Sequence, residues 1–280
     1  MHENNPYILY NQLVQLNRDG TYTIKEYKKD ILRLKNGLEK PYKDIQENII
    51  KKPNNIERER YDSLSRTKSM ILDYAANNKW ETFITLTFAE NVTDKEKANK
   101  IFNNYITQVN RYNKQIKIEN IKYMGLPEKQ KRGSIHYHLL TNIKANTSLI
   151  PLQEEILKLW NKDTKKYTEI KYYNLKYWSN GFSSGYNLDE TDENFNPTKY
   201  MIKYLYKDIK TKRDFRLLKS NNLLKGQILY FNNRDYSAEE YIKKVGLPPP
   251  KLVYEYEPVP TSPYSIGFKL FAQDHNIIKG

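Results

Sequence analysis

The chain has 280 residues, with 47 Lys+Arg against 33 Asp+Glu, a formal net charge of +14 and a pI near 9.4. That length suits one large domain or a medium domain with extensions, and the basic excess favours a polyanionic partner bound through counterion release. The absence of cysteine excludes disulfides, cysteine-ligated zinc modules and thiol catalysis.

The chain has 25 tyrosines. Tyrosine stacks on unpaired bases, so a basic and aromatic chain leans toward single strands. The chain is also rich in Asn, Ile and Lys, a mixture that AT-rich coding gives by itself, so the tyrosine count carries little weight. Residues 1–10 show no basic segment followed by an apolar run, and no apolar stretch reaches the roughly 20 residues of a membrane span. A soluble intracellular protein is expected.

Residues 1–57 are polar and basic. Within 22–50, Ile31, Leu32, Leu34 and Leu38 recur at near-helical spacing until Pro41, which predicts a helical N-terminal extension over 1–57. Pro53-Asn54-Asn55 reads as a linker. A second helix is predicted over about 56–77, basic first (Arg58, Arg60, Arg66, Lys68), then apolar (Met70, Ile71, Leu72, Tyr74), and closed by Asn77-Asn78. Then the period changes. Thr82-Phe83-Ile84-Thr85-Leu86-Thr87-Phe88 is β-branched and aromatic throughout, which suits a strand buried on both faces. Residues 94–112 predict a helix with Ile101, Phe102, Tyr105, Ile106 and Val109 on one face. Residues 121–126 and 134–141 predict a strand pair around the turn Lys129-Gln130-Lys131-Arg132-Gly133. A short helix (152–160), a strand or hairpin (168–178), a turn-rich stretch (180–197) and a helix (199–209) follow. Residues 216–280 are expected to be a mixed C-terminal extension, with a Pro-rich irregular arm over 248–263. The order of elements suggests an α+β fold with an antiparallel sheet, its domain spanning 58–215.

Two of the four histidines are His136 and His138, in Ser134-Ile135-His136-Tyr137-His138-Leu139-Leu140. Alternate residues of a strand share a face, so both imidazoles point one way while Ile135, Tyr137 and Leu139 point into the core. An imidazole pair suits a divalent metal, and serves with Mg²⁺ when a substrate phosphate supplies oxygens. Glu128 is the candidate third ligand. With a turn over 129–133, Glu128 lies beside Ser134, Leu126 faces His136, and the carboxylate shares the histidines' face diagonal to His136. The competing reading is two strand histidines on a solvated face with an unrelated turn glutamate.

The second constellation runs from Asn196-Pro197 through Lys199-Tyr200-Met201-Ile202-Lys203-Tyr204-Leu205-Tyr206-Lys207. Proline after a capping asparagine is a helix-start signal. At about 100° per residue, Tyr200, Lys203, Tyr204 and Lys207 share one arc, opposite Met201, Ile202, Leu205 and Tyr206. An ammonium beside a phenol favours phenolate and holds phosphate oxygens. The same spacing recurs in Tyr173-Asn174-Leu175-Lys176-Tyr177, which has no helix start and reads as strand. An amphipathic surface helix is the plainer reading of 197–207.

Together these motifs resemble the HUH replication initiators, especially those of single-stranded DNA phages and small bacterial plasmids. Phe83-Ile84-Thr85-Leu86-Thr87-Phe88 resembles the first motif of that family, Glu128 through His138 the second, and Tyr200-Met201-Ile202-Lys203-Tyr204 with Lys207 the third, in its two-tyrosine form. Trp178 and Gly181 resemble an element that members often carry between motifs two and three. The likeness covers roughly residues 60–210. Relaxases place the tyrosine before the histidines, and two-tyrosine transposases tend to carry cysteine zinc motifs; this chain does neither.

The resemblance implies a roughly five-stranded antiparallel sheet with flanking helices and the histidines on a central strand. It implies a Mg²⁺ or Mn²⁺ ion on Glu128, His136 and His138, with Tyr200 or Tyr204 attacking the scissile phosphate and Lys203 and Lys207 stabilising charge. Lys129, Lys131, Arg132, Lys210, Lys212 and Arg213 become candidates for DNA backbone contacts. The implied partners are a single-stranded origin and a host helicase and polymerase, in a bacterial cytoplasm and away from membranes. Two alternatives remain: a transposase of the same chemistry, and a single-stranded nucleic-acid-binding protein whose histidines are structural.

Overall fold

The computed structural model describes residues 7–34, 56–130, 133–145, 151–161, 165–191, 196–207, 217–232, 236–256 and 268–273. In chain order the elements are β1 (Tyr7–Leu16), β2 (Tyr22–Leu34), α1 (Ile56–Asn77), β3 (Thr82–Thr87), α2 (Lys95–Gln115), β4 (Tyr123–Lys129) and β5 (Ile135–Thr141). Then come β6 (Pro151–Asn161), β7 (Lys166–Leu175), β8 (Ser183–Asn187), α3 (Pro197–Lys207), β9 (Leu218–Lys219), β10 (Gln227–Phe231), α4 (Ala238–Val245), β11 (Leu252–Tyr256) and β12 (Phe268–Ala272). They make an α+β fold of two compact units, one over 1–63 and 225–280, the other over 64–224. Among the described residues no helix is long and apolar enough to cross a membrane.

The second unit holds a seven-stranded sheet in the order β6-β7-β8-β3-β5-β4-β9, antiparallel at each pairing. The sheet is wider than the five strands expected. β3 is apolar on both faces because each face carries its own core. On one, Ile84, Leu86, Tyr137 and Leu139 pack against Phe102, Tyr105 and Val109 of α2. Asp94 caps that helix by accepting from Lys97 N–H at 2.9 Å. On the other face, Phe83, Met124, Leu126 and Leu140 pack against Ile71 and Tyr74 of α1 and Met201 and Leu205 of α3.

Two elements of this sheet depart from expectation. Residues 152–160, read as a short helix, lie in β6, which forms a hairpin with β7 through Leu157 opposite Ile170 and Trp160 opposite Tyr167. Gln, Glu, Leu and Lys favour helix in isolation, but strand propensity is decided by the partner, and β7 offers a long paired edge. Residues 180–197, read as turns, contain β8. Its Ser183-Ser184-Gly185-Tyr186-Asn187 has a weak strand signal, yet it is buried between β7 and β3. Small residues fit that interior position: a Cβ on Gly185 would stand 3.2 Å from Leu175.

The first unit has a five-stranded sheet, β10-β1-β2-β12-β11, with Ala238 and Ile242 of α4 packed on Val14, Tyr22, Ile24 and Phe271. This corrects the helical N-terminal extension. Tyr22 and Ile24 are buried while Thr23 and Lys25 are not, which is a strand period, and β2 pairs with β1 across a turn ending at Gly20, φ +83°. The Asp19-Gly20 pair between apolar runs was the overlooked hairpin signal. Residues 35–55, with Leu38, Pro41 and the Pro53 linker, lie outside the described residues. The irregular arm expected over 248–263 contains β11, paired with β12 through Val253 opposite Phe271.

Candidate functional site

β5 lies between β3 and β4, and its register decides what surrounds the histidines. Against β3, His138 stands opposite Thr85 and His136 opposite Thr87. Against β4, His136 stands opposite Glu128 and His138 opposite Leu126. The hairpin turn sits one residue later than expected: Lys129 still pairs with Ile135, Gln130 N–H donates to Ser134 O at 2.9 Å, and Gly133 N–H donates to Gln130 O at 2.8 Å. The register is therefore shifted by two from the sequence expectation. A shift of two preserves the face, so Glu128 stays with the histidines but stands directly opposite His136 and diagonal to His138.

Side-chain geometry follows from that register. His138 Nε2 donates to Glu128 Oε2 at 2.7 Å. On the other side of the ring, Thr85 Oγ1 lies 3.2 Å from His138 Nδ1, and Thr87 Oγ1 lies 3.3 Å from His136 Nδ1. Gln130 Nε2 is a further 3.3 Å neighbour of His136 Nδ1. Glu128, His136 and His138 are all buried. Thr85, Thr87 and Gln130 were not singled out from the sequence. Their signal was the alternation of threonine in Thr85-Leu86-Thr87, in phase with His-x-His once the two strands pair antiparallel.

Among the described residues no three His, Asp or Glu side chains stand as a formed metal cluster, and Glu128 and His138 meet directly. The donor set itself fits a divalent ion: two imidazoles and one carboxylate on one face, with each Nδ1 held by a threonine hydroxyl. Second-sphere groups of that kind set which ring nitrogen is presented to a ligand.

The tyrosine helix is brought to this face. Asn196 caps α3, its Oδ1 accepting from Lys199 N–H at 2.9 Å, and Pro197 is the first helical residue. Met201 and Leu205 are buried, and Tyr200 sits half-buried at the border of that stripe. Its ring packs edge-on against Phe83 at 5.3 Å and against His138 at 6.1 Å, while Phe83 stacks on His138 at 6.0 Å. Lys203, Tyr204 and Lys207 occupy the same helix, but their side chains lie outside the described residues. So do Lys131, Arg132, Lys210, Lys212 and Arg213; Lys129 is exposed at the end of β4.

Other phenols near the site are poorer nucleophiles. Tyr137 points to the α2 face and donates to Asn99 Oδ1 at 2.9 Å, and burial pushes its phenol up. Burial also raises Tyr186, against the lowering effect of a hydrogen bond with Ser184. The second Tyr-x-x-Lys-Tyr copy is not wholly strand as expected: β7 ends at Leu175, and Lys176 and Tyr177 form the turn after it. Tyr173, opposite Gly185, shares the face of Ile84 and is turned away from the histidines.

The Trp/Gly element closes the end of β3. Trp178 Nε1 donates to Thr87 O at 3.0 Å, and Thr87 and Ala89 N–H donate to Phe182 O and Asn180 O at 2.8 Å each. Gly181 must be glycine for this approach, since a Cβ would stand 2.2 Å from Thr87 O and 2.4 Å from Ala89 N. Gly181→Ala is expected to cost about 1–3 kcal/mol of stability, read as a lowered Tm; an unchanged melt would contradict the tight approach.

An antiparallel sheet that sets a Glu-His-His face beside a tyrosine-bearing helix defines an α+β protein with a candidate phosphoryl-transfer site. Residues 81–209, just under half of the chain, match the family model described as a replication-associated protein of the ORF2 type. That segment contains β3, the histidine strand and α3. No curated protein and no solved structure matches the chain at a significant level.

Proposed function

We propose that this protein is a metal-dependent endonuclease of the HUH class, which nicks single-stranded DNA at an origin and so starts and ends rolling-circle replication. The observation that carries the reading is the edge-on packing of Tyr200 against His138 at 6.1 Å, which joins the tyrosine motif to the histidine motif on one sheet face. The match of residues 81–209 to replication-associated proteins supports it. Glu128, His136 and His138 would hold Mg²⁺ or Mn²⁺. Such an ion, when bound, supplies Lewis-acid polarisation of the scissile phosphate.

In this reading Tyr200 or Tyr204 loses its phenolic proton as Oη bonds to phosphorus. The bond from phosphorus to the 3′ oxygen breaks, and its electron pair leaves with that oxygen, which takes a proton to become a free 3′-OH. The 5′ phosphate remains as a diester on the tyrosine. A polymerase extends the 3′-OH while a host helicase unwinds the template. The second tyrosine then cuts the regenerated origin, and the new 3′-OH attacks the first phosphotyrosine to close the released strand. Lys203 and Lys207 offset the charge of phenolate and transition state. Lys129, Lys131, Arg132, Lys210, Lys212 and Arg213 position the backbone.

The test is incubation of the protein with circular single-stranded DNA and Mn²⁺. The expected product is a denaturant-resistant protein–DNA adduct that EDTA prevents; binding without any adduct would reduce the protein to a single-stranded DNA-binding protein. Affinity is expected to depend steeply on salt, with log K falling by roughly 0.7 per unit of log salt for each phosphate contact. A flat response in a fluorescence-anisotropy titration would show that the +14 charge is not used on DNA.

A further inference from the structure

Among the described residues, Lys68 is the one lysine or arginine that is buried, at 6% exposure. It lies on the inward stripe of α1. Leu64, Ile71, Tyr74 and Ala75, its neighbours three to seven positions away, all pack into the cluster that holds Phe83, Leu126, Leu140 and Tyr200. The face α1 covers is therefore the face that carries Glu128, His136 and His138.

The height of Lys68 on that face follows from chain geometry. Residues 78–81 link the end of α1 to the start of β3, so the helix runs back over the strand. At about 1.5 Å per residue, Lys68 is about 14 Å from the helix end. At about 3.4 Å per residue, Thr85 and Thr87 are about 10 and 17 Å from the start of β3. Lys68 thus stands at the level of the two threonines that hold His138 and His136.

A buried ammonium is costly, and here burial pushes its pKa below the ordinary lysine value. A methionine of similar length would fill the stripe without that cost. A cation kept there, level with a Glu-His-His group, has use for an anion.

We infer that Lys68 binds the phosphodiester at the Glu128/His136/His138 face, its ammonium meeting a non-bridging phosphate oxygen. The inference rests on the nuclease reading but concerns anion binding, which does not require the metal.

The experiment measures binding of a short single-stranded oligonucleotide in EDTA across a salt series, for wild type, Lys68→Met and Lys68→Arg. Each is also melted. The expected result for Lys68→Met is a Tm equal to or above wild type, affinity weakened several-fold, and a salt slope reduced by about 0.7. Lys68→Arg restores both affinity and slope. Wild-type affinity and slope in Lys68→Met would overturn the inference. Should Lys68→Met fail to fold, Lys68→Gln takes its place; if that also fails to fold, the charge is structural and the inference is overturned. The two readings separate cleanly. Weakened binding in Lys68→Met with no wild-type adduct in Mn²⁺ keeps the anion site and removes the nuclease. A wild-type adduct with unaltered Lys68→Met binding does the reverse.

Discussion

Phenylalanine at both Tyr200 and Tyr204 is expected to abolish the covalent adduct, while either single replacement leaves a short oligonucleotide nicked at a reduced rate. Loss of a nucleophile removes the only route to a protein-linked product, a fall of at least about 10³-fold in adduct formation. Phenylalanine at 200 keeps the ring that packs on Phe83 and His138, so folding is retained and the effect is chemical. If one tyrosine acts alone, its single replacement suffices; alternation then fails while the nickase survives. Tyr173→Phe and Tyr177→Phe are expected to be neutral toward cleavage, because that copy is set apart from the histidines by the sheet register.

The second large effect concerns the histidine face. Glu128→Ala, His136→Ala and His138→Ala are each expected to lower cleavage by at least about 100-fold, with affinity for single-stranded DNA retained. A double histidine variant that cleaves at the wild-type rate with metal present would remove the proposed role. Stability must be followed in parallel. Glu128 and His138 are buried and bonded to each other at 2.7 Å, so removing either leaves the other short of a partner. His138→Gln provides a control of similar polarity.

The candidate site was more legible in the sequence than the fold around it. A His-x-His strand declares its face by period two, and a shift of the hairpin by two residues could not move Glu128 to the other side. The asparagine cap and Pro197 marked the start of α3 locally. What was not legible was non-local. Thr85 and Thr87 matter only through their pairing with β5. Propensity assigns residues 152–160 to a helix, and the hairpin with β7 overrides it. The N-terminal and C-terminal segments read as separate extensions because nothing in either announces that β1 pairs with β10 and β2 with β12. Lys68 looked like one more basic residue of a solvated half-helix until the burial of Leu64, Ile71 and Tyr74 placed it on the inward stripe.

The most direct measurement is mass spectrometry of the adduct formed on a single-stranded origin-containing oligonucleotide with Mn²⁺. After nuclease and protease digestion, a nucleotide mass on the peptide containing Tyr200 and Tyr204, assigned by fragmentation to one of those phenols, is the predicted result. A nucleotide on Tyr173, Tyr177 or a serine, or strand cleavage that leaves no nucleotide on the protein, would contradict the tyrosine chemistry and the pairing of α3 with the histidine face.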